Sequence, residues 1–475
     1  MNLSWLRRFV VVLAASQVFY SVVCMAAESS APERHLVTIA PGHFHAALIQ
    51  KEMSPDISPR VRIYAPFGSD LLAHLNRINQ FNTRRDNPTS WEVEVYAAPD
   101  YWERLKQEAP GGIAVLSGNN RGKIERIREL AGMGLHVLAD KPWILGPEEL
   151  PVLEQVLEVA ARRGVVAYDA MTQRFEITCL LLREFVNDSG VFGSPLAGTA
   201  DEPAVLFASV HYLYKEVAGV PNLRPAWFFD IQQQGEGLTD VGTHLADLAA
   251  WTLFPDQALN FHSDIEVLRG ERWSTRLTLA EFQKATGERE FPNFLKSALE
   301  SERLEYYANN RVDYTLRGVH VRLEARWDFE APPGGKDTEL VVFRGTKSRV
   351  QARQGKEEGY RPEVYLRANT ETGRAALREA VARKLEVVRK TWPGLDVEER
   401  GGEFHILIPE HYRIGHEAHF ALLTSRFLGY VANPASVPAW EAPNMMAKYY
   451  ITTRGVELAR RSRGNQPEPA TGPAR

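Results

Sequence analysis

A lysine at the end of a short apolar run is the first residue whose type suggests chemistry. Lys141 follows the run His136-Val137-Leu138-Ala139 and Asp140, and it precedes Pro142. A lysine in a confined site can have its pKa lowered enough to relay a proton, and the oxidation of a hydroxyl requires such a relay. The alternative interpretation is a solvated lysine in front of a proline that begins a helix.

A second motif combines an acid with an imidazole. Asp240 and His244 stand four residues apart in a segment that begins with Gly235-Glu236-Gly237, and on a helix this spacing places both side chains on one face. The carboxylate can then orient the imidazole while the imidazole accepts a proton. The alternatives are that Asp240 caps the helix after the glycine turn and that His244 is a hydrogen-bonded core histidine.

The elements that must position these residues begin with an alternation of short apolar runs and amphipathic segments. Six runs have the composition of buried strands, at residues 36–40, 61–64, 93–96, 113–116, 136–139 and 165–168. Helical patterns lie at residues 44–53, 123–133 and 148–163. This alternation predicts an α/β domain with a doubly wound parallel sheet over residues 35–171. Ligands bind such sheets beyond the carboxyl ends of the strands, so the residues after each strand are the candidates.

The pattern changes after about residue 172. Residues 318–330 alternate apolar and polar side chains almost perfectly, as a long half-buried antiparallel strand does. More strand patterns lie at 204–212, 306–316 and 340–343, and helical patterns at 372–390 and 416–431. They predict an α+β domain with an open, mainly antiparallel sheet over residues 172–461. Residues 462–475 are rich in proline, glycine and arginine, which predicts a disordered tail.

Three stretches together resemble the Gfo/Idh/MocA family, the glucose–fructose oxidoreductases and inositol dehydrogenases. They are Ala139-Asp140-Lys141-Pro142, the segment Gly235 to Asp247, and the turn at Gly42 after the first strand. The resemblance covers roughly residues 35–350, and the later part is similar to a subgroup with its own oxidoreductase C-terminal domain. It implies a Rossmann domain, a tightly bound NAD or NADP, and the oxidation of a sugar or polyol hydroxyl.

The same resemblance implies roles for three residues. In that family the lysine contacts both the nicotinamide ribose and the reacting hydroxyl, which assigns this role to Lys141. The analogy makes His244 the general base or a substrate ligand. It makes Asp240 the residue that binds substrate hydroxyls, while Asp247, one turn further, is interpreted as structural.

The turn after the first strand departs from the usual dinucleotide-binding pattern. That pattern is G-x-G-x-x-G, whereas this turn reads Ala40-Pro41-Gly42-His43-Phe44-His45-Ala46 and keeps only Gly42 for a close approach of the backbone. The start of the next helix can still attract a diphosphate, and His43 can hydrogen-bond it. The residues expected to bind the cofactor are Gly42, His43, His45, Ser117, Asn119, Asp140 and Lys141. No acidic residue directly ends the second strand, so the choice between NAD and NADP stays open.

Polar and aromatic residues ahead of the Asp240 segment suit the binding of a sugar. The expected substrate-binding residues are His211, Tyr212, Arg224 and Trp227. Aromatic faces beside hydrogen-bonding groups match the two faces of a sugar ring. The alternative is that Trp227 and the following phenylalanines belong to the core.

The N-terminus has the order of a cleaved signal peptide. Arg7-Arg8 precede an apolar stretch from Phe9 to about Val23, and small residues follow at Ala26-Ala27. Residues 1–27 are therefore predicted to be removed, by Sec or twin-arginine export, from a bacterial protein that is periplasmic or extracellular. After cleavage no membrane span is expected.

The net charge and the cysteine content exclude some classes of partner and site. The net charge of −4 is too close to neutral to indicate nucleic acid, and Cys179 would be the one cysteine of the mature chain, so neither a disulfide nor a cysteine zinc site is expected. A homo-oligomer through the open sheet is possible. The expected ligand is a small carbohydrate.

Three other functions fit parts of the sequence. The same cofactor could drive a glycosidase or lyase through transient oxidation of the sugar, without net redox, and a bound, regenerated cofactor would suit a protein exported to where free NAD is scarce. A metal-dependent hydrolase would use histidines and one glutamate, namely His43, His45, His244, His416, Glu417 and His419. Their spacing does not match H-E-x-x-H, so no metal site is predicted. A carbohydrate-binding protein without turnover is the last alternative.

Overall fold

The computed structural model describes residues 34–217 and 220–462. The predicted signal peptide and all of the predicted tail except Ser462 lie outside these residues. The first part of the described chain forms a six-stranded parallel sheet in the order β3-β2-β1-β4-β5-β6. Its strands are β1 Arg34–Ile39, β2 Ile57–Ala65, β3 Glu92–Ala97, β4 Ile113–Leu116, β5 His136–Ala139 and β6 Ala167–Asp169. The helices are α1 His45–Leu48, α2 Ser69–Thr83, α3 Tyr101–Glu108, α4 Lys123–Gly132 and α5 Leu150–Arg163.

This sheet confirms the predicted doubly wound α/β fold. The central strands β1, β4 and β5 are short and almost entirely buried, because helices cover both faces of a parallel sheet. β1 lies between β2 and β4, so the strand order reverses there. The carboxyl ends of β1 and β4 meet at this switch point, with Ile39 opposite Leu116.

The helix predicted at residues 44–53 is wrong in length, because α1 has a single turn. The carbonyls beyond it accept hydrogen bonds from distant side chains. Trp91 Nε1 donates to the Gln50 carbonyl at 2.6 Å, and Arg84 Nη2 donates to the Lys51 carbonyl at 2.7 Å. The main chain after α1 instead makes tighter turns, in which the amides of Gln50 and Lys51 donate to the carbonyls of Ala47 and Leu48. Helices α2 and α3 were not predicted from the sequence.

The second part of the chain forms a larger mixed sheet, and most of its helices lie against it. The sheet has ten strands in the order β10-β12-β13-β7-β14-β15-β16-β18-β17, with β11 paired to β12. The strands of this part are β7 Val205–Tyr212, β8 Glu216–Val217, β9 Val220–Pro221, β10 Ile265–Leu277, β11 Leu299–Glu300, β12 Arg303–Leu316, β13 Val319–Asp328, β14 Thr338–Arg344, β15 Ser348–Gln354, β16 Glu363–Ala368, β17 Asp396–Arg400 and β18 Glu403–Leu407. The helices are α6 Ile177–Val186, α7 Gly237–Leu253, α8 Leu279–Thr286, α9 Arg374–Val388, α10 His416–Ala432 and α11 Glu441–Arg461.

The alternation predicted for residues 318–330 is present in β13, where every second side chain is buried. β13 pairs antiparallel with β12 and parallel with β7, so the sheet is mixed and mainly antiparallel, as expected. Helix α7 is buried along its whole length and packs on β12 and β13. The close packing requires Gly237, because a side chain there would collide with the Ala308 carbonyl in β12.

The C-terminal helix α11 joins the two parts of the fold. It packs against α7 and β10 of the second part and against α5 of the first. The Tyr449 hydroxyl accepts from the Trp143 amide at 2.9 Å and donates to Asp169 at 2.7 Å. Helix α11 was not predicted from the sequence. Over residues 34–217 and 220–462, no helix combines the length and apolar character that crossing a bilayer demands.

Candidate active site

Lys141 and Asp240, the central residues of the two sequence motifs, form an ion pair. Lys141 follows β5, and Asp240 lies in the first turn of α7. Their side chains are only 14% and 8% exposed, so the pair is largely withdrawn from water. The structure therefore joins the two motifs in one site, at the carboxyl edge of the parallel sheet.

The protonation state of this pair differs from the sequence-based expectation. Burial disfavours the Lys141 ammonium, but the charges of Asp240 and Asp140 outweigh burial and raise the pKa of Lys141 above its usual value. Burial also opposes the Asp240 carboxylate, yet Lys141 holds the pKa of Asp240 below its usual range. The expected lowering of the Lys141 pKa is wrong, because two carboxylates face the ammonium. Both members of the pair are charged at neutral pH.

A second lysine, which the sequence analysis placed on an amphipathic helix without a role, holds the Lys141 turn. The buried Lys123 ammonium donates to the main-chain carbonyls of Asp140 at 2.9 Å and Pro142 at 3.2 Å, and to the Asn120 side chain. Burial lowers the pKa of Lys123 to about 8. Because these bonds fix the backbone on both sides of Lys141, Lys123 is a positioning residue.

His244 lies one turn after Asp240 and is 8% exposed. Burial, with the nearby Lys141 charge, holds the pKa of His244 well below its usual value. The imidazole is therefore neutral and able to accept a proton. Asp240 bonds to Lys141 rather than to His244, so the expected orientation of the imidazole by Asp240 is wrong. In the described part of the chain, the His244 ring has no hydrogen-bond partner.

Asp247, one further turn along α7, lies in a buried network of ion pairs. Arg174 donates from Nε and Nη2 to the two oxygens of the Asp247 carboxylate, each at 2.6 Å. Its Nη1 donates to Glu441. Lys448 lies 3.4 Å from the Asp247 carboxylate. This buried network ties α7 to α11 and leaves Asp247 no free oxygen for a substrate.

Four residues expected to bind the cofactor instead contact one another. His45 Nδ1 lies 2.8 Å from Asp140 Oδ2, the Ser117 hydroxyl donates to the same oxygen at 3.0 Å, and His43 Nδ1 lies 3.0 Å from it. His45 Nε2 also lies 2.6 Å from Nε2 of His416, at the start of α10. Asp140 is therefore the centre of a polar cluster beside Lys141, and His416, which was grouped with His43 and His45 only in the metal-hydrolase alternative, adjoins it.

The turn at Gly42 does not present its amides to a diphosphate. The amides of Gly42 and His43 both donate to the Ser117 carbonyl, at 3.0 and 3.1 Å. Helix α1 is one turn long, so its start does not supply the expected anion site. Ala40 has a φ of 41°, so an alanine makes the left-handed turn for which a Rossmann fold normally uses its first glycine.

Gly42 is needed for a different reason than the one expected. A side chain there would meet Asp70 Oδ2 at 2.8 Å and the Trp227 ring at 3.1 Å. Trp227 Nε1 donates to the same Asp70 oxygen at 3.0 Å. Burial raises the pKa of Asp70, although the bond from Trp227 opposes the rise. Trp227, expected to contact the substrate, thus closes over the glycine turn.

A cavity of about 360 Å³ opens beside this turn, at the switch point of the parallel sheet. Its walls include residues at or just after the carboxyl ends of β1, β2 and β4, namely Ala40, Pro41, Ala65, Pro66, Asn119 and Arg121, together with Asp70, Tyr101, Arg126 and Trp227. The Arg126 guanidinium lies 5.7 Å from the Tyr101 ring centroid, and it has no carboxylate partner among the described residues. Asn119, which was expected to bind the cofactor, lines the cavity, and its amide donates to Gln233.

The other expected substrate residues hydrogen-bond to one further carboxylate and to the main chain. His211 Nδ1 lies 3.0 Å from Asp337 Oδ2, and Lys215 donates to that oxygen. Arg224 donates to the carbonyls of Leu213 and Tyr212, at 2.8 and 3.1 Å. The guanidinium of Arg224 is therefore hydrogen-bonded to main-chain carbonyls. His211 keeps one unused ring nitrogen, because its buried Nε2 has no hydrogen-bond partner among the described residues.

Comparison with known proteins gives a family and a set of related folds. The profile of a family described as "Putative oxidoreductase C terminal domain" matches residues 181–460. A "putative oxidoreductase" from Parabacteroides merdae, of known crystal structure, is 41% identical, covers 90% of this chain and 98% of its own, and superposes with a TM-score of 0.89. Among curated proteins, none matches this chain.

Two more distant structures share the fold. A levoglucosan dehydrogenase, solved in complex with NADH, is 13% identical, with a TM-score of 0.53 over 90% of this chain and 97% of its own. The 3-ketoreductase KijD10 from Actinomadura kijaniata, solved with NADP and TDP-benzene, is 13% identical, with a TM-score of 0.51 over the same shares. At this identity the likeness is one of fold.

Proposed function

This chain belongs to the Gfo/Idh/MocA family of oxidoreductases, in the group with the oxidoreductase C-terminal domain, and from that membership we propose that it oxidises a hydroxyl of a sugar or polyol with a nicotinamide cofactor. The observation that carries the proposal is the convergence of Lys141, Asp240 and a neutral His244 at the carboxyl edge of the sheet. A charged lysine and a neutral base in one buried site are the groups that removal of a hydroxyl proton requires.

The cavity at the switch point supports the binding of a dinucleotide. The contacts to its phosphates would differ from those of the usual glycine-rich turn. The unpaired Arg126 suits a phosphate and the Tyr101 ring suits a base or ribose, and both line the cavity. Because the Gly42 and His43 amides bond the Ser117 carbonyl, side chains rather than the glycine turn would hold the phosphates. When bound, the nicotinamide would accept the hydride that leaves the substrate carbon.

Three side chains of the protein have the remaining roles in the reaction. Neutral His244 accepts the hydroxyl proton as the C–H bond breaks, so the charge on the substrate does not build up. Lys141 donates a hydrogen bond to the substrate oxygen and stabilises its partial negative charge. Asp240 holds Lys141 in place and offers its second carboxylate oxygen to a neighbouring substrate hydroxyl.

The substrate class rests on two supports. A levoglucosan dehydrogenase and a 3-ketoreductase solved with a TDP ligand share this fold. In this chain His211, Lys215 and Asp337 form a polar group in the second part of the fold, of the kind that binds sugar hydroxyls.

The decisive experiment is mass analysis of the purified protein followed by a substrate screen. We expect NAD or NADP to be released on denaturation, or to bind when added, and a panel of sugars and polyols to give absorbance of reduced nicotinamide at 340 nm with a product lighter by two hydrogens. An aryl glycoside that is cleaved without net reduction would instead show a redox-neutral glycosidase. Failure to bind either nicotinamide would overturn the proposal.

Export is part of the proposal and has its own test. The order of charged, apolar and small residues in the first 27 positions supports a mature chain that begins near Ala27, outside the cytoplasm. N-terminal sequencing of the native protein from a fractionated bacterial host measures this. An intact Met1 in the cytosolic fraction contradicts it.

A further inference from the structure

Two histidines and one carboxylate converge beside Lys141, and we propose that His43, His45 and Asp140 bind a divalent transition-metal ion. Nδ1 of His43 and Nδ1 of His45 lie 3.0 and 2.8 Å from Asp140 Oδ2, and the three donor atoms all lie within 4.8 Å of one another. Two imidazole nitrogens and one carboxylate oxygen are a donor set that Zn²⁺, Mn²⁺ and Fe²⁺ accept in proteins.

Unsatisfied polar atoms at the cluster point to a missing cation. Asp140 is 7% exposed, and its Oδ1 is buried without a hydrogen-bond partner among the described residues. His43 Nδ1 is buried as well, and although it lies close to the carboxylate it is not in hydrogen-bond geometry with it. A buried polar atom without a partner is costly unless an ion or water satisfies it. A cation bound by His43 Nδ1 and by both carboxylate oxygens of Asp140 would satisfy both atoms.

The orientation of His45 is fixed from outside the cluster. Its Nε2 lies 2.6 Å from His416 Nε2, so one ring donates a proton to the other. If His45 is the donor, its Nδ1 carries a lone pair that faces the Asp140 carboxylate, and a cation between them removes the repulsion. Histidine ligands of metals commonly donate their second ring nitrogen to such an outer partner.

The surroundings of the cluster are compatible with the charge of the ion. Two lysines lie at Asp140: the charge of Lys141 is balanced by Asp240, and the Lys123 ammonium donates to the main-chain carbonyl of Asp140 at 2.9 Å. Three protein ligands leave at least one coordination position open for water or a substrate oxygen. The cluster lies next to Lys141 in the chain and in space, so this position would be available to the proposed reaction centre.

The test uses the mature protein, stripped with a chelator and exchanged into metal-free buffer. We expect calorimetric titration with Zn²⁺ and with Mn²⁺, and native mass spectrometry, to show one ion per chain for at least one of the two metals. Substitution with Co²⁺ should give visible d–d absorption bands typical of nitrogen and oxygen ligands.

Three alanine variants assign the ligands. His43→Ala, at a partly exposed residue, should lower the affinity for the bound metal by more than about 100-fold. His416→Ala, which removes the outer partner, should lower it by about 10- to 100-fold. The matched control His411→Ala removes an exposed histidine and should leave the affinity unchanged.

The outcomes separate this inference from the proposed function. Absence of binding of both metals by the stripped wild-type protein, or equal binding by His43→Ala, overturns the metal site. Nicotinamide binding is measured on the same stripped samples. A protein that binds nicotinamide and no metal loses only this inference, whereas one that binds metal and no nicotinamide loses only the proposed function.

Discussion

The Lys141 ammonium and the Asp240 carboxylate lie 99 residues apart in the chain and form one buried ion pair. The pair links the end of β5 in the parallel sheet to the first turn of α7 on the large sheet. It keeps the lysine charged and places both side chains beside neutral His244. The geometry therefore makes specific predictions about each residue.

Replacing Lys141 should separate catalysis from stability. We expect Lys141→Ala to lower turnover by at least about 100-fold, the scale of a lost acid–base group. It also leaves Asp240 buried without a counter-charge, which should lower the free energy of unfolding by roughly 3–5 kcal/mol. The double variant Lys141→Ala/Asp240→Asn removes that charge and should regain stability without regaining turnover. Urea unfolding and steady-state kinetics measure both effects, and near-normal turnover in Lys141→Ala would exclude this lysine from the reaction.

His244→Asn should keep a hydrogen-bonding side chain and lose proton transfer. We expect nicotinamide binding to survive while the chemical step slows by about 10²- to 10⁴-fold. Because the pKa of His244 lies well below 6.5, the wild-type imidazole stays in its basic form as the pH falls to 6.5. Single-turnover kinetics from pH 6.5 to 8 should therefore show no loss of rate from this group. His262→Asn, at an exposed histidine, is the control, and an equal loss of rate in both variants would contradict the role of His244.

Arg126 should hold a phosphate of the nicotinamide cofactor. Loss of a hydrogen bond to a charged group weakens binding by about 1.5–3 kcal/mol, so we expect Arg126→Gln to raise the Kd for the preferred nicotinamide by roughly 10- to 100-fold. Arg128→Gln is the matched control on the same helix, because Arg128 is paired with Glu125. Fluorescence titration of both variants with NADH and NADPH measures the effect. An unchanged Kd in Arg126→Gln would place the phosphates elsewhere.

Glu339 should make stability depend on pH. Burial raises the pKa of Glu339 to about 7 from an ordinary value of 4.5, and Glu176 adds to the rise. The folded state binds this proton more tightly than the unfolded state, so its stabilising effect is complete below pH 4.5 and is lost as the pH rises through about 7.

The variant Glu339→Gln cannot ionise and should escape this loss. We expect it to gain thermal stability over the wild type at pH 8 and to show little gain at pH 4.5. Glu357→Gln, at an exposed residue, should show no such difference. Scanning calorimetry at pH 4.5 and pH 8 measures the melting temperatures of both proteins. The same difference in melting temperature between wild type and Glu339→Gln at both pH values would refute the expectation.

The sequence alone was enough to identify the parallel sheet and the two central motifs. Buried parallel strands are short apolar runs with helices between them, and this pattern is local, so β4 and β5 were located at their observed residues. The spacing of Asp240 and His244 placed them on one helix face, because that face is set by 3.6 residues per turn.

Tertiary structure alone decided which residues meet. The segment after α1 is held by bonds from Trp91 and Arg84, which lie 41 and 33 residues beyond the carbonyls they reach. His416 contacts His45 across 371 residues, and no periodicity relates them. The raised pKa of Lys141 comes from two carboxylates, one of which, Asp240, lies on helix α7 in the second part of the fold. Such contacts depend on how loops turn and layers pack, and local spacing carries no information about either.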